Sequence, residues 1–357
     1  MANAVVDIIA FLGGFLSIVD FAKDNVPDQK AVGSTVRVTV GLDTHGGLNN
    51  AGGDLPDIRL FNEGGGFLGM VADPGKVKTG SFEDITIKHD DGSGQQATYA
   101  LFSANNDAIC IAYTSITWPS GDHYAWVGDW GHKCGGAWYY SNVYLAGSGI
   151  KPDCFWIDAN NDTPQTGFQI HWTEFVRNDG DKIPTSPDDQ NSLIDYICNS
   201  GVPFRMHNYP DKDPHSIYFY PPTNPSRSLP EKRMPDTRTS YGPPKHSLSA
   251  RFRSSQDHPE SNQTTISQRM KGSLVIGDDA RHSAEELCAS DTSSGPDFLN
   301  KRGGVFCRMS DKTIWPACNE LATNDNCFNN DLRQLVINGV ASRDEPYTNI
   351  IDWTSGN

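Results

Sequence analysis

The stretch WIDANNDTPQTGFQIHW, residues 156–172, carries the densest run of side chains able to do chemistry. Asp158, Asn160 and Asp162 alternate as the first three liganding positions of a calcium loop do, and Ca2+ takes about six to eight oxygen ligands. Thr163 stands where such a loop has its turn glycine and Gln169 where it has its bidentate glutamate, so this is not an EF-hand. Calcium binding would instead draw on two loops, with Asp43, Asn50, Asp54 and Asp57 of DTHGGLNNAGGDLPD as the second source. An Asx-rich turn holding no ion is the competing reading.

Paired carboxylates are the next chemistry the sequence offers. Glycoside hydrolysis needs two carboxyl groups roughly 5–10 Å apart across a cleft. Asp122, Asp129, Asp153, Asp158 and Glu174 lie among Trp118, Trp126, Trp130, Trp138, Trp156 and Trp172. Those tryptophans either fill a core or form a rim that stacks on sugar faces, and in the second case Trp126, Trp130 and Trp138 are the expected ligand contacts. GDWGHKCGGAW sets Cys134 near Asp129 and His132, an arrangement that activates a thiol when the imidazole reaches the sulfur. A disulfide from Cys134 to Cys110 or Cys154 is the simpler expectation. GxSxG and HExxH are absent, no GxGxxG is placed between a strand and a helix, and DPGKV lacks the first glycine and the final Ser/Thr of a phosphate loop. No catalytic residue is assigned.

The chain has 357 residues and a formal charge of −15, which disfavours nucleic acid and anionic membranes as general partners. Residues 1–200 hold 11 Lys and Arg against 25 Asp and Glu, residues 201–272 hold 11 against 6, and the remainder 7 against 13. A basic segment therefore separates two acidic parts. Cys110, Cys134, Cys154 and Cys198 precede it, and Cys288, Cys307, Cys318 and Cys327 follow it. An even number on each side, with no zinc spacing, predicts disulfides in an oxidising, extracellular or cell-surface setting, the last four joined as adjacent pairs.

The elements that must hold these residues are short and regularly spaced. STVRVTVGLD alternates Val36, Val38, Val40 and Leu42 with Thr35, Arg37 and Thr39, the pattern of a half-buried strand. Strands are also predicted at 57–61, 81–89, 97–104, 108–118, 123–128, 154–158 and 167–172, separated by Gly, Asn and Asp turns. The last of them places Phe168, Ile170 and Trp172 in the core and His171 with Gln169 on the opposite, solvated face. SPDDQNSLIDYICNSG reads as a helix capped by Ser186, with Pro187 in its first turn and Gly201 at its end. Ser283 and Glu286 fit a capping box opening a second helix.

The predicted fold is mainly β, an antiparallel sandwich of the PLAT/C2-like or jelly-roll kind. Its parts are an apolar N-terminal helix (1–30), the sandwich (31–200), a Pro-rich basic linker or arm (201–272) and a disulfide-rich module (273–357). The apolar run IIAFLGGFLSIV is too short to cross a bilayer and has no basic residue before it, so it does not read as a typical signal peptide. Asn161 and Asn262 head N-glycosylation triplets, and Lys232-Arg233 is a dibasic pair open to processing.

WVGDWGHKCGGAWYYSN, CFWIDANNDTPQTGFQIHWTEF and ELCASDTSSGPDF resemble a group of uncharacterised, secreted or surface-associated proteins of filamentous ascomycete fungi. A second, weaker likeness, through a Gly/Asp loop and the F-x-D-x-x-I of residues 82–87, is to PLAT and C2 sandwiches. That likeness implies calcium, lipid or protein partners. Together these readings predict a non-enzymatic, calcium-assisted binding protein of a cell wall or membrane surface, with a polysaccharide or lipid as partner. The alternatives are a secreted carboxylate-dependent glycoside hydrolase and a membrane-active toxin that inserts its helix 5–19.

Overall fold

The protein is mainly β in the computed structural model, which describes residues 6–12, 15–30, 32–41, 51–90, 92, 94–177, 184–209, 213–220, 239–240, 266–318, 326–341 and 347–354. Two antiparallel sheets carry the first half. One runs Trp138–Tyr140, Asp153–Ile157, Ile109–Thr117, Gly33–Val40, Phe82–Lys88, with His123–Val127 also paired to Ile109–Thr117. The other runs Phe204–Asn208, Gln165–His171, Tyr99–Ser103, Asp57–Phe61, Phe67–Val71. Val36, Val38, Val40 and Ile116 of the first share one buried cluster with Ile58, Leu60, Phe102 and Phe168 of the second. Aromatic rings join the sheets: Trp126 stacks on Phe168 at 5.1 Å, and Phe155 meets Phe168 edge-on at 5.5 Å.

Gly33–Val40 is buried along its whole length, not on one face as its alternation predicts. The polar face is covered by residues 24–27. Arg37 donates to Asp24 O at 2.7 Å and holds Asp84 through two bonds of 2.7 and 2.8 Å, while Ser115 and Thr117 donate to Asn25 O and Pro27 O. Hydrogen-bonded polar side chains can thus stand where the pattern implies water.

The N-terminal helix is corrected to a β-hairpin, Val6–Leu12 paired with Phe15–Phe21. Its strands are rich in Ile and Val, and the two residues between them are Gly13 and Gly14, a pair that favours tight hairpin turns. A twelve-residue apolar run does not by itself distinguish helix from strand. Ile8, Ala10, Val19 and Phe21 are buried, and Trp130 donates to Ile9 O at 2.9 Å. The helix 5–19 on which a membrane-inserting toxin would rely is therefore not formed. Among the described residues no helix is long and apolar enough to cross a membrane.

The helix Pro187–Asn199 forms as its caps dictate. Ser186 accepts from Asp189 N at 3.1 Å, and Gly201 takes φ +81° beyond the end. Residues 204–208 and 213–220, expected within the arm, instead complete the second sheet and lie over it. Phe204–Asn208 pairs with Gln165–His171. Farther on, Gln169 donates to Tyr218 O and accepts from Tyr218 N, both at 2.7 Å, and Arg59 and Ser103 donate to Pro214 O. Asp43, Asn50, Lys232, Arg233 and Asn262 lie outside the described residues.

The C-terminal segment forms a mixed sheet, Thr313–Pro316, Val305–Arg308, Asp297–Asn300, Ser273–Gly277, Asn349–Asp352, whose last two pairings are parallel. The helix Ala284–Ala289, opened by Ser283 accepting from Glu286 N, makes the crossover between parallel neighbours. Four disulfides join Cys110–Cys154, Cys134–Cys198, Cys288–Cys307 and Cys318–Cys327. The adjacent pairing expected of the last four is observed. Cys134 reaches neither Cys110 nor Cys154 but the helix at Cys198, which removes it as a nucleophile.

This segment is packed onto the first half. Trp138 Nε1 donates to Ser290 Oγ and Trp156 Nε1 to Ser294 O, both at 2.9 Å. Tyr139 and Tyr140 donate to Pro296 O and Ser283 O at 3.0 Å.

Candidate functional site

Among the described residues, ionisable and hydroxyl groups converge around His171. Phe168 and Ile170 fill the core as predicted, which turns Gln169 and His171 to the other face. That face is covered by residues 213–220, whose Ile217 and Phe219 bury Phe61, Tyr99 and Leu101. His171, expected to be solvated, is only 4% exposed. Its ring stacks on Tyr99 at 4.2 Å, the partner opposite it in the sheet. His171 Nε2 lies 3.0 Å from Glu63 Oε2 and Nδ1 lies 3.4 Å from Glu174 Oε1, a distance of charge pairing more than of hydrogen bonding. Tyr196 and Tyr220 touch through their hydroxyls and each donates to Glu174 Oε1 at 3.2 Å.

Burial opposes charge on His171, yet the bonds and charges of Glu174 and Glu63 raise its pKa above 6.5. Burial would raise Glu63, and the bond and charge of His171 together with the Thr98 side chain outweigh it and hold that carboxyl below 4.5. The hydroxyls of Tyr99, Tyr196 and Tyr220 are pushed up by burial first and by neighbouring carboxylates second. A raised histidine stabilises the fold below its unfolded pKa, and a lowered glutamate above its own. The pair is therefore at full strength between about pH 4.5 and 6.5 and weakens as pH rises through the folded pKa of His171. Denaturant unfolding should show stability falling from pH 6.5 to 8.5 in the wild type, with a smaller fall in Glu63→Gln. Parallel falls would show that His171 does not titrate as argued.

A second polar group lies where the C-terminal segment meets the first half. His132 Nδ1 is 2.6 Å from Asp153 Oδ2, and the His132 ring stacks on Trp138 at 3.5 Å. Asp129 is raised well above 3.8 by burial and then by the charge of Asp153, and its Oδ2 is buried without a hydrogen-bond partner. Of the five carboxylates expected to pair, these two come together. Asp122 bonds locally to Ser120, and Glu174 belongs to the His171 group. His282 stacks on Tyr140 at 4.4 Å and is lowered to about 4, chiefly by burial. A lowered histidine removes stability as pH falls from 6.5 towards 4, the reverse of His171.

The residues expected to bind metal are placed as follows. Asp158 Oδ2 accepts from Asn160 N at 2.9 Å and Asp162 N at 2.7 Å, an Asx-type turn with Asn161 at φ +83°. Asp54 and Asp57 do not enter this loop. Asp54 pairs with Lys76 at 2.9 Å, and Asp57 Oδ1 accepts from Asp73 N and Asn105 Nδ2. No group of three or more His, Cys, Asp or Glu residues fit to hold a metal occurs among the described residues.

The expectation that Trp126, Trp130 and Trp138 stack on a ligand is corrected. Each is 0% exposed, because the strands and short helix that carry them are covered on both sides. Sequence reasoning missed the His171 group because Glu63, Tyr99, Glu174, Tyr196 and Tyr220 are scattered over nearly 160 residues. The only local signal was Glu174, three residues beyond His171. No family model matches this chain, and no curated protein matches it.

Proposed function

We propose that the chain is an extracellular or cell-surface binding protein whose ligand is a glycan, held at the surface formed by Glu63, Glu174, Tyr196 and Tyr220 over His171. The observation that carries this reading is a set of fixed acceptors and half-buried tyrosines around a histidine whose two nitrogens both face carboxylates. Two carboxylates favour the charged form of that ring over a neutral base, which favours binding over catalysis. Carboxylates accept from sugar hydroxyls, and phenol rings pack on sugar faces. The four disulfides fit an oxidising compartment. Two antiparallel sheets with a common core fit a sandwich of the PLAT/C2 or jelly-roll type.

Glu63, whose side chain is 58% exposed, gives the test. Wild-type protein should bind at least one insoluble or arrayed polysaccharide, and Glu63→Ala should weaken that binding about tenfold, the effect of one lost charged hydrogen bond. No polysaccharide bound, or equal binding by the folded variant, sinks the reading.

A second reading, carboxylate-dependent hydrolysis, rests on Asp129 beside Asp153, one carboxyl favouring its neutral form and the other paired with His132. Reducing-sugar release that disappears in Asp153→Asn would support it. Release unchanged in that variant would exclude these residues.

A further inference from the structure

Three oxygens of a single five-residue loop are buried and accept no hydrogen bond: Asp158 Oδ1, Asn160 Oδ1 and Asp162 Oδ2. Asp158 is 0% exposed, so its orphaned oxygen has no recourse to water. A buried carboxylate oxygen without a donor is costly, and a folded protein rarely keeps one without reason. Here two carboxylate oxygens and one amide oxygen come from alternate positions, the spacing by which a loop turns successive side chains toward one cation. The other oxygen of Asp158 is taken by the N–H groups of Asn160 and Asp162, which fixes the carboxyl and leaves Oδ1 directed away from them.

The surroundings are oxygen-rich. Asn160 Nδ2 donates to Asn106 O, and Asp107 of the same loop, half exposed, faces Lys76 at 3.9 Å. The Tyr209 hydroxyl feels the charges of both Asp158 and Asp162. The cation now present is Arg269, whose Nη1 stands 2.6 Å from Asp162 Oδ2 on a side chain 43% exposed. It pairs with one of the three oxygens and leaves the other two unanswered.

We propose that this loop is a calcium site, in which Asp158 Oδ1, Asn160 Oδ1 and Asp162 Oδ2 are the protein ligands. Residues 105–107 adjoin it, Asn106 O holding Asn160 Nδ2 while Asn105 Nδ2 bonds the segment of Asp57. Two loop carboxylates and one amide make a weakly charged site with all-oxygen donors, suited to calcium at the millimolar levels found outside cells, with Kd on the order of 10⁻⁴–10⁻³ M. The site shares no residue with the His171 group, and its test does not depend on that reading.

The experiment is isothermal titration of the full chain, stripped with chelator, with CaCl2, alongside terbium luminescence sensitised by tryptophan. Wild type should bind about one equivalent, and its Tm should rise by a few degrees in 10 mM calcium. Asp158→Asn keeps an oxygen for the two N–H bonds and should fold, but both it and Asp162→Asn should lose calcium binding. Arg269→Gln, which removes the competing cation, should bind at least as tightly as the wild type. No heat and no Tm shift in the wild type at 10 mM calcium, undiminished binding in both aspartate variants, or weaker binding in Arg269→Gln overturns the proposal.

Discussion

Replacing Trp138 with alanine is expected to lower the unfolding free energy by about 3–5 kcal/mol, the cost of deleting a large buried ring. Trp138 is fully buried, stacks on His132 at 3.5 Å, meets Tyr140 edge-on at 5.3 Å, and donates to Ser290 Oγ. The loss would therefore fall on both halves of the chain at once. Trp138→Phe keeps an aromatic ring in the stack and gives up chiefly the bond to Ser290, so it should cost about 1–2 kcal/mol. Urea unfolding followed by fluorescence and by far-UV circular dichroism would check this. Equal losses in the two variants would mean that the ring's volume is not what matters.

The second large effect is expected at Cys134–Cys198. This bond closes a loop with a sequence separation of 64, against 9 for Cys318–Cys327. On the chain-entropy account, removing the longer link destabilises by about 4 kcal/mol and removing the shorter by about 2.5 kcal/mol. The longer link also fastens Pro187–Asn199, of whose residues only Ile197 is buried, to the short helix Asp129–Lys133. Tyr196 lies on that fastened helix, so Cys134→Ser/Cys198→Ser should loosen the His171 group as well as the fold. Thermal unfolding of the two double-serine variants decides the order, and a larger loss from Cys318→Ser/Cys327→Ser would reverse the argument.

Much of the first half was legible in the sequence. Eight predicted strands formed near their predicted places because Val, Ile and aromatic residues alternate there between Gly, Asn and Asp turns. Ser186 and Ser283 announced both longer helices through their caps. What could not be read was which polar faces would be covered. Arg37, Gln169 and His171 all look solvent-directed, yet each is buried under a segment distant in sequence: residues 24–27 in the first case and 213–220 in the others. Proline and charge made residues 213–220 look like a linker, whereas Gln169 and Arg59 supply hydrogen bonds that hold them to the sheet. The parallel strands Ser273–Gly277 and Asn349–Asp352 escaped for a related reason, since their pairing joins segments more than seventy residues apart. Of the candidate sites, the Asp158 turn was visible as a local pattern. The His171 group, built entirely from distant contacts, was not.

Trp138–Tyr140 occupies the end of its sheet, where a strand has one side with no sheet neighbour. That side is met by the turn after the helix Ala284–Ala289: Trp138 N donates to Thr292 O, and Ser294 N donates to Trp138 O. A bare edge of this kind, three aromatic residues long, is a template on which another chain can add a strand. The C-terminal segment thus works as a guard as well as a packing partner. A chain that stopped before Ser273 would lose core contacts and would also offer an adhesive margin, so self-association would follow from the truncation even where the remaining sheets held together.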